Sequence, residues 1–175
     1  SFHDGHAHVE YGGRDKINCR INGRSSPISI RQQLNNCAMS FNLREDEWLI
    51  GGGWELFNFP DGAPTSEMLD EIFGNRPVFL SDAFGHNAWV SSKALELAGI
   101  NSDTLDPSNG KIIRDSVTGK PSGTLRDSAM NLILEVLPAL TTEQRYEALL
   151  LGIKEANKYG ITAFIEPGVD QPLAR

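Results

Sequence analysis

The stretch that most constrains the fold is "TTEQRYEALLLGIKEANKYGITAFIEPG", residues 141–168. Thr141 or Thr142 can cap a long helix over "EQRYEALLLGIKEANK", and Gly160 ends it. "ITAFIEPG" then reads as a strand entered straight from that helix. The chain opens with "SFHDGHAHV", whose alternation reads as the end of another strand opening into a glycine turn at Gly12-Gly13. The coarse order is strand, a long mixed region, helix, strand, with no repeats and no linker long enough to separate domains.

Several elements are expected in the mixed region. "SIRQQLNNCAMSF" places Ile30, Leu34, Cys37 and Ala38 at roughly helical spacing, and "EWLIGGGW" is a short apolar strand ending in Gly51-Gly52-Gly53. Three glycines remove side chains where a backbone bends sharply or another group approaches closely. Thr65 can cap a short helix that includes Met68, and "PVFLSDAFGH" is a buried-type strand. "AWVSSKALELAGI" predicts a helix from about Ser91 to Gly99, and "KIIRDSVTGKPSGTLRD" predicts a hairpin. "SAMNLILEVLP" predicts a short helix closed by Pro138.

Three of the four histidines lie in the first eight residues. On a strand, side chains at i and i+2 share a face, so His6 and His8 would point together while Ala7 turns away. Two imidazoles so placed can each offer a nitrogen to one divalent ion, with zinc the usual choice. Asp4 shares their parity and is a candidate to orient a ligand; His3 has the opposite parity and is left out. Phe2, Ala7 and Val9 put the pair in apolar surroundings. The spacing alone leaves open a chance, solvent-exposed pair.

Bulk properties narrow the partners. Lys+Arg 16 against Asp+Glu 23 gives a net charge of −7 over 175 residues, which argues against nucleic acid or an anionic membrane as partner. The longest apolar stretches fall well short of a membrane span, and no signal-peptide pattern begins the chain, which gives a cytoplasmic expectation. Cys19 and Cys37 share no metal-ligand spacing and read as two free thiols in a reducing compartment.

"SFHDGHAHV" resembles the first-strand signature of the metal-dependent amidohydrolase superfamily, Pro-Gly-Phe-x-Asp-x-His-x-His. The segments from "GGGWELFNFPDGAPT" through "SDAFGHNAWVSSKALELAGI", then "TGKPSGTLRDSAM" and "LPALTTEQRYEALLLGIKEANKYGITAF", resemble the amidohydrolase-3 branch in the same order. That branch includes enzymes similar to N-substituted formamide deformylase. The resemblance implies an α/β fold, the first part of a (β/α)8 TIM barrel. Residues 1–10 would be its first strand, 11–138 a large α+β insertion over the barrel mouth, and 139–175 the following helix and second strand.

The resemblance also implies a metal-activated water that hydrolyses a non-peptide C–N bond, an amide or formamide, in a small-molecule substrate. A complete barrel takes about 250 residues, so the chain reads as an N-terminal fragment, inactive alone, whose other ligands and general base come from later strands. His6 and His8 are the expected metal ligands and His86 and Trp54 the expected substrate contacts, although Ala83-Phe84-Gly85 between Asp82 and His86 depart from the family spacing. Packing is an equal alternative for Trp54, and Arg126 with Asp127 reads as a solvated pair or helix cap. Glu166, at the end of the second strand, faces the right end of the barrel. Exposed apolar surface on the isolated barrel strands implies association, such as a homo-oligomer. The alternative functions are a non-catalytic ligand-binding module and a related barrel hydrolase acting on an ester or cyclic amide.

Overall fold

A computed structural model describes residues 1–41, 44 and 46–167. In chain order its elements are β1 (Phe2–Asp4), α1 (Val9–Ile17), β2 (Cys19–Arg20), α2 (Pro27–Ser40), β3 (Leu49–Trp54), α3 (Ser66–Phe73) and β4 (Val78–Asp82). They continue with β5 (Asn87–Val90), α4 (Ser92–Leu97), β6 (Gly110–Arg114), β7 (Pro121–Asp127), α5 (Asn131–Leu134), α6 (Thr142–Lys158) and β8 (Ile161–Phe164). Two units emerge, one built from Ser1–Asn18 with the described residues from Ala139 on, the other from Cys19–Pro138.

In the first unit Thr141 caps α6 with a reciprocal capping box. Its hydroxyl accepts the Gln144 N–H, and the Gln144 side chain accepts the Thr141 N–H at 2.9 Å. Gly160, at φ 76°, turns the chain into β8, which pairs parallel to β1 with Asp4 opposite Phe164. The turn expected at Gly12-Gly13 is instead part of α1. The reason is tertiary: a Cβ on Gly13 would collide with the Ala148 carbonyl of α6, and one on Gly152 would collide with the Val9 carbonyl of α1. The two helices pack backbone to backbone through these glycines.

The second unit is a six-stranded mixed sheet in the order β2-β3-β4-β5-β7-β6. β2, β3 and β4 run parallel, and the remaining pairings are antiparallel, including the expected β6–β7 hairpin. Val78 and Leu80 of β4 face a core with Leu34, Leu69 and Trp54, while Phe79 faces a second core with Leu95, Leu125 and Ile133. Both faces are thus covered there, which is why Val78-Phe79-Leu80 of β4 is a continuous apolar run. Helix α2 buries Ile30, Leu34 and Cys37 as its spacing predicts, but Ala38 is exposed.

Ala88-Trp89-Val90 lies in strand β5, paired with β4 and β7, and the helix follows from the Ser91 cap as expected, the Ser91 hydroxyl accepting the Ala94 N–H. Two expectations change here. The triple glycine lies inside β3, which runs on to Trp54, because the Cys19 carbonyl, Ser81 and the Ile21 carbonyl each occupy the place of a missing Cβ. Cys19 and Cys37 are not free thiols: they form a disulfide, 18 residues apart in sequence and 5.6 Å between Cα atoms. Both side chains are buried in the core shared by β2 and α2, a proximity that sequence spacing does not reveal.

Among the described residues no helix is long and apolar enough to cross a membrane.

Candidate functional site

Strand β1 ends at Asp4, so His6 and His8 lie beyond the strand on which alternation places them. They are brought together by a turn instead. The Asp4 carboxylate accepts the His6 N–H at 3.0 Å, so it shapes the backbone. Pairing with the partner strand's extension continues past the strand ends: Ile165 N–H donates to the Asp4 carbonyl and Ala7 N–H to the Ile165 carbonyl, both at 3.0 Å. His8 then occupies the position before α1, where its carbonyl accepts the Gly12 N–H at 3.0 Å and its side chain makes no capping bond.

The two rings meet edge to face, with centroids 5.1 Å apart and planes at 87°. Two imidazoles sharing one tetrahedral zinc, with nitrogen ~2.1 Å from the ion and the ring centre ~1.1 Å further, would have centroids about 5.2 Å apart. The observed spacing fits that arrangement. The apolar surroundings expected for the pair are absent: Phe2 is 68% exposed and His8 half exposed, and only Val9 of the three named residues is buried. The strand here is three residues long and pairs on one side, so little covers it.

Glu166, two residues past the end of β8, reaches this site. Its side chain is 8% exposed; Oε1 lies 3.2 Å from His8 Nδ1, and Oε2 accepts the Glu10 N–H at 3.2 Å. Parallel pairing supplies the signal that identifies it. Asp4 sits opposite Phe164, so His6 and Glu166 are each two residues beyond paired positions. Tyr11 completes the surroundings, its ring 5.8 Å from that of His8 and beneath the Arg14 guanidinium. Among the described residues no group of three or more His, Cys, Asp and Glu side chains could hold a metal ion. His6 and His8 therefore fit two places of a site, short of the three protein ligands that a catalytic zinc takes.

The second unit holds the other predicted residues. Asp82 is buried, and its carboxylate accepts the His86 N–H at 2.8 Å, the Asn87 N–H at 3.0 Å and the Asn87 side-chain amide at 2.8 Å. These bonds hold the loop that presents His86, whose ring is 74% exposed with Nδ1 3.4 Å from Asp127 Oδ1. Asp127 is neither half of a solvated Arg126–Asp127 pair nor a side-chain cap. It makes no capping bond, its N–H donates to the His86 carbonyl at 2.8 Å, and Arg126 reaches the Asp61 carbonyl instead. Its φ of 48° is strained for a residue with a side chain, a feature that clusters at functional sites. A depression of about 490 Å³ lies beside the pair, lined also by Gly85, Asn109, Ser128 and Asn131.

Trp54 is fully buried. Its indole N–H donates to the Leu80 carbonyl at 2.9 Å, and its ring packs edge to face on Phe59 and Trp89. It takes the packing role, with no surface left for a ligand.

The sequence profile of the amidohydrolase family matches residues 1–172. The chain belongs to the amidohydrolase family. Within the family it falls in the amidohydrolase-3 branch, as the ordered motifs imply. It is 36% identical over 163 residues to YtcJ of Bacillus subtilis (strain 168), covering 92% of this chain and 30% of that protein. It is 31% identical over 135 residues to the N-substituted formamide deformylase of Arthrobacter pascens, covering 75% of this chain and 24% of the enzyme. The crystal structure of an uncharacterized metal-dependent hydrolase from Pyrococcus horikoshii shares its fold, with a TM-score of 0.62 at 21% identity, over 94% of this chain and 30% of the other. The amidohydrolase chain thus spans less than a third of the length of these relatives.

Proposed function

We propose that this chain contributes part of the metal centre of a metal-dependent amidohydrolase that cleaves a non-peptide C–N bond, an amide or formamide, in a small molecule. The observation that carries the reading is the His6–His8 pair at 5.1 Å, with a carboxylate held against His8. Family membership and the likeness to a formamide deformylase support it. In this reading β1 and β8 are the first two strands of a (β/α)8 barrel. They stand side by side and parallel, as barrel strands do, and residues between them form the inserted unit.

His6 and His8 would hold the ion as neutral imidazoles and would transfer no proton themselves. A divalent metal, with zinc the best match to two imidazole donors, supplies a bound water of near-neutral pKa and polarises a carbonyl. In a protein of the relatives' length, other strands would supply the remaining ligands and the general base. His86, held by Asp82 and set against Asp127, is the proposed contact to a polar group of the substrate, and the strain at Asp127 supports a functional role there. Exposed Phe2, Leu150 and Ile165 in the first unit support covering by further barrel strands or by a second copy of the chain.

Zinc titration followed by NMR of the four histidine rings tests this reading. His6 and His8 should respond together and weakly, His3 and His86 should not, and His6→Ala or His8→Ala should abolish the response. A zinc response that survives both substitutions would sink the assignment.

A further inference from the structure

We infer that Glu166 is the positioning residue of the His8 imidazole, and that Nε2 of His8, rather than Nδ1, is the atom presented to the metal. The inference rests on the metal-site reading above and adds an atom-level assignment to it.

An ionised carboxylate only accepts hydrogen bonds. The ring nitrogen facing Glu166 Oε1 at 3.2 Å is Nδ1, so that nitrogen is the one that carries the proton. In a neutral imidazole the lone pair then resides on Nε2, on the side of the ring away from Glu166. Glu166 could not do this if its own position were loose. Its second oxygen accepts the Glu10 N–H in the first turn of α1, and its side chain is 8% exposed. The N-terminus of a helix favours a carboxylate through its unpaired N–H groups and its dipole. One side chain thus ties the end of β8 to the start of α1 and fixes the imidazole between them. An outer carboxylate that orients a ligating histidine commonly contributes 10–100-fold in metal affinity.

The tautomer can be read without metal. Long-range 1H–15N correlation spectra of the metal-free chain, at a pH where His8 is neutral, should show Nδ1 protonated and Nε2 bare. In Glu166→Ala the ring should lose this preference, and zinc affinity should fall by about 10–100-fold. Glu166→Gln, whose amide oxygen can still accept from Nδ1–H, should keep part of both. If Glu166→Ala does not fold, the wild-type tautomer still decides. A His8 ring protonated at Nε2 in a chain that takes zinc at His6 and His8 overturns the Glu166 assignment alone. So does an unchanged zinc affinity in a folded Glu166→Ala. No zinc response at either histidine overturns the metal reading, and the role of Glu166 with it.

Discussion

Gly12 and Gly13 are neighbours in one helix, and alanine should have opposite effects at the two positions. Gly12 is exposed, with nothing within 4 Å of where a Cβ would stand. Gly12→Ala should therefore gain the helix-propensity difference alone, about 1 kcal/mol. Gly13 is buried, and its added Cβ would run into the Ala148 carbonyl and the Gly152 backbone. Main-chain atoms cannot rotate aside, so the cost belongs at the upper end of overpacking, about 3 kcal/mol. Subtracting the ~1 kcal/mol propensity gain leaves a net loss of about 2 kcal/mol, and a gap between the two variants of about 3 kcal/mol. Native-state hydrogen exchange of the α1 and α6 amides reads this directly. Exchange should speed up roughly 30-fold in Gly13→Ala and slow roughly 5-fold in Gly12→Ala, at 1.4 kcal/mol per factor of ten. Helix α1 begins beside His8, so Gly13→Ala should also disturb the histidine pair. Equal protection in both variants would refute the close-packing argument.

Three further outcomes are expected. Trp54→Phe removes the indole N–H and leaves the buried Leu80 carbonyl without that donor, so it should destabilise by about 1–3 kcal/mol, seen as a lower urea midpoint at unchanged slope; an unshifted midpoint would contradict the packing role. The Asp115 carboxyl is held below its ordinary value, first by the Thr118 N–H and then by the Thr118 hydroxyl. A depressed carboxylate stabilises above its unfolded pKa and loses that contribution as pH falls through the folded one. Asp115→Asn should therefore speed Thr118 amide exchange at neutral pH, with the difference fading in acid; a difference that persists in acid would count against it. Without reductant the denatured chain should show no thiols, and reduction should destabilise the second unit by about 3 kcal/mol; thiol labelling of Cys19 and Cys37 before reduction would contradict the disulfide.

Much of this architecture is legible locally. The Thr141 cap, the stop at Gly160, the β6–β7 hairpin and the buried face of α2 depend on residues within a few positions of one another. The misread elements depend on distant partners. Gly12-Gly13 looks like a turn until α6 arrives to fill the space of the absent side chains, and Gly51-Gly52-Gly53 looks like the end of a strand until Cys19, Ser81 and Ile21 occupy the places of its missing side chains. The histidine pair was legible as a pair but not as a geometry, since a turn shaped by Asp4 replaces the expected strand.

The sequence by itself determined the family, the order of motifs and the identity of the two imidazoles, because these reside in residue types and spacing. Only the tertiary structure decided that Glu166 meets His8 across 158 positions of sequence, that Asp127 lies beside the exposed His86 ring, and that Cys19 joins Cys37. The physical reason is the same in each case. Strand register and helix packing set which side chains share a place, and both are properties of surfaces brought together by folding.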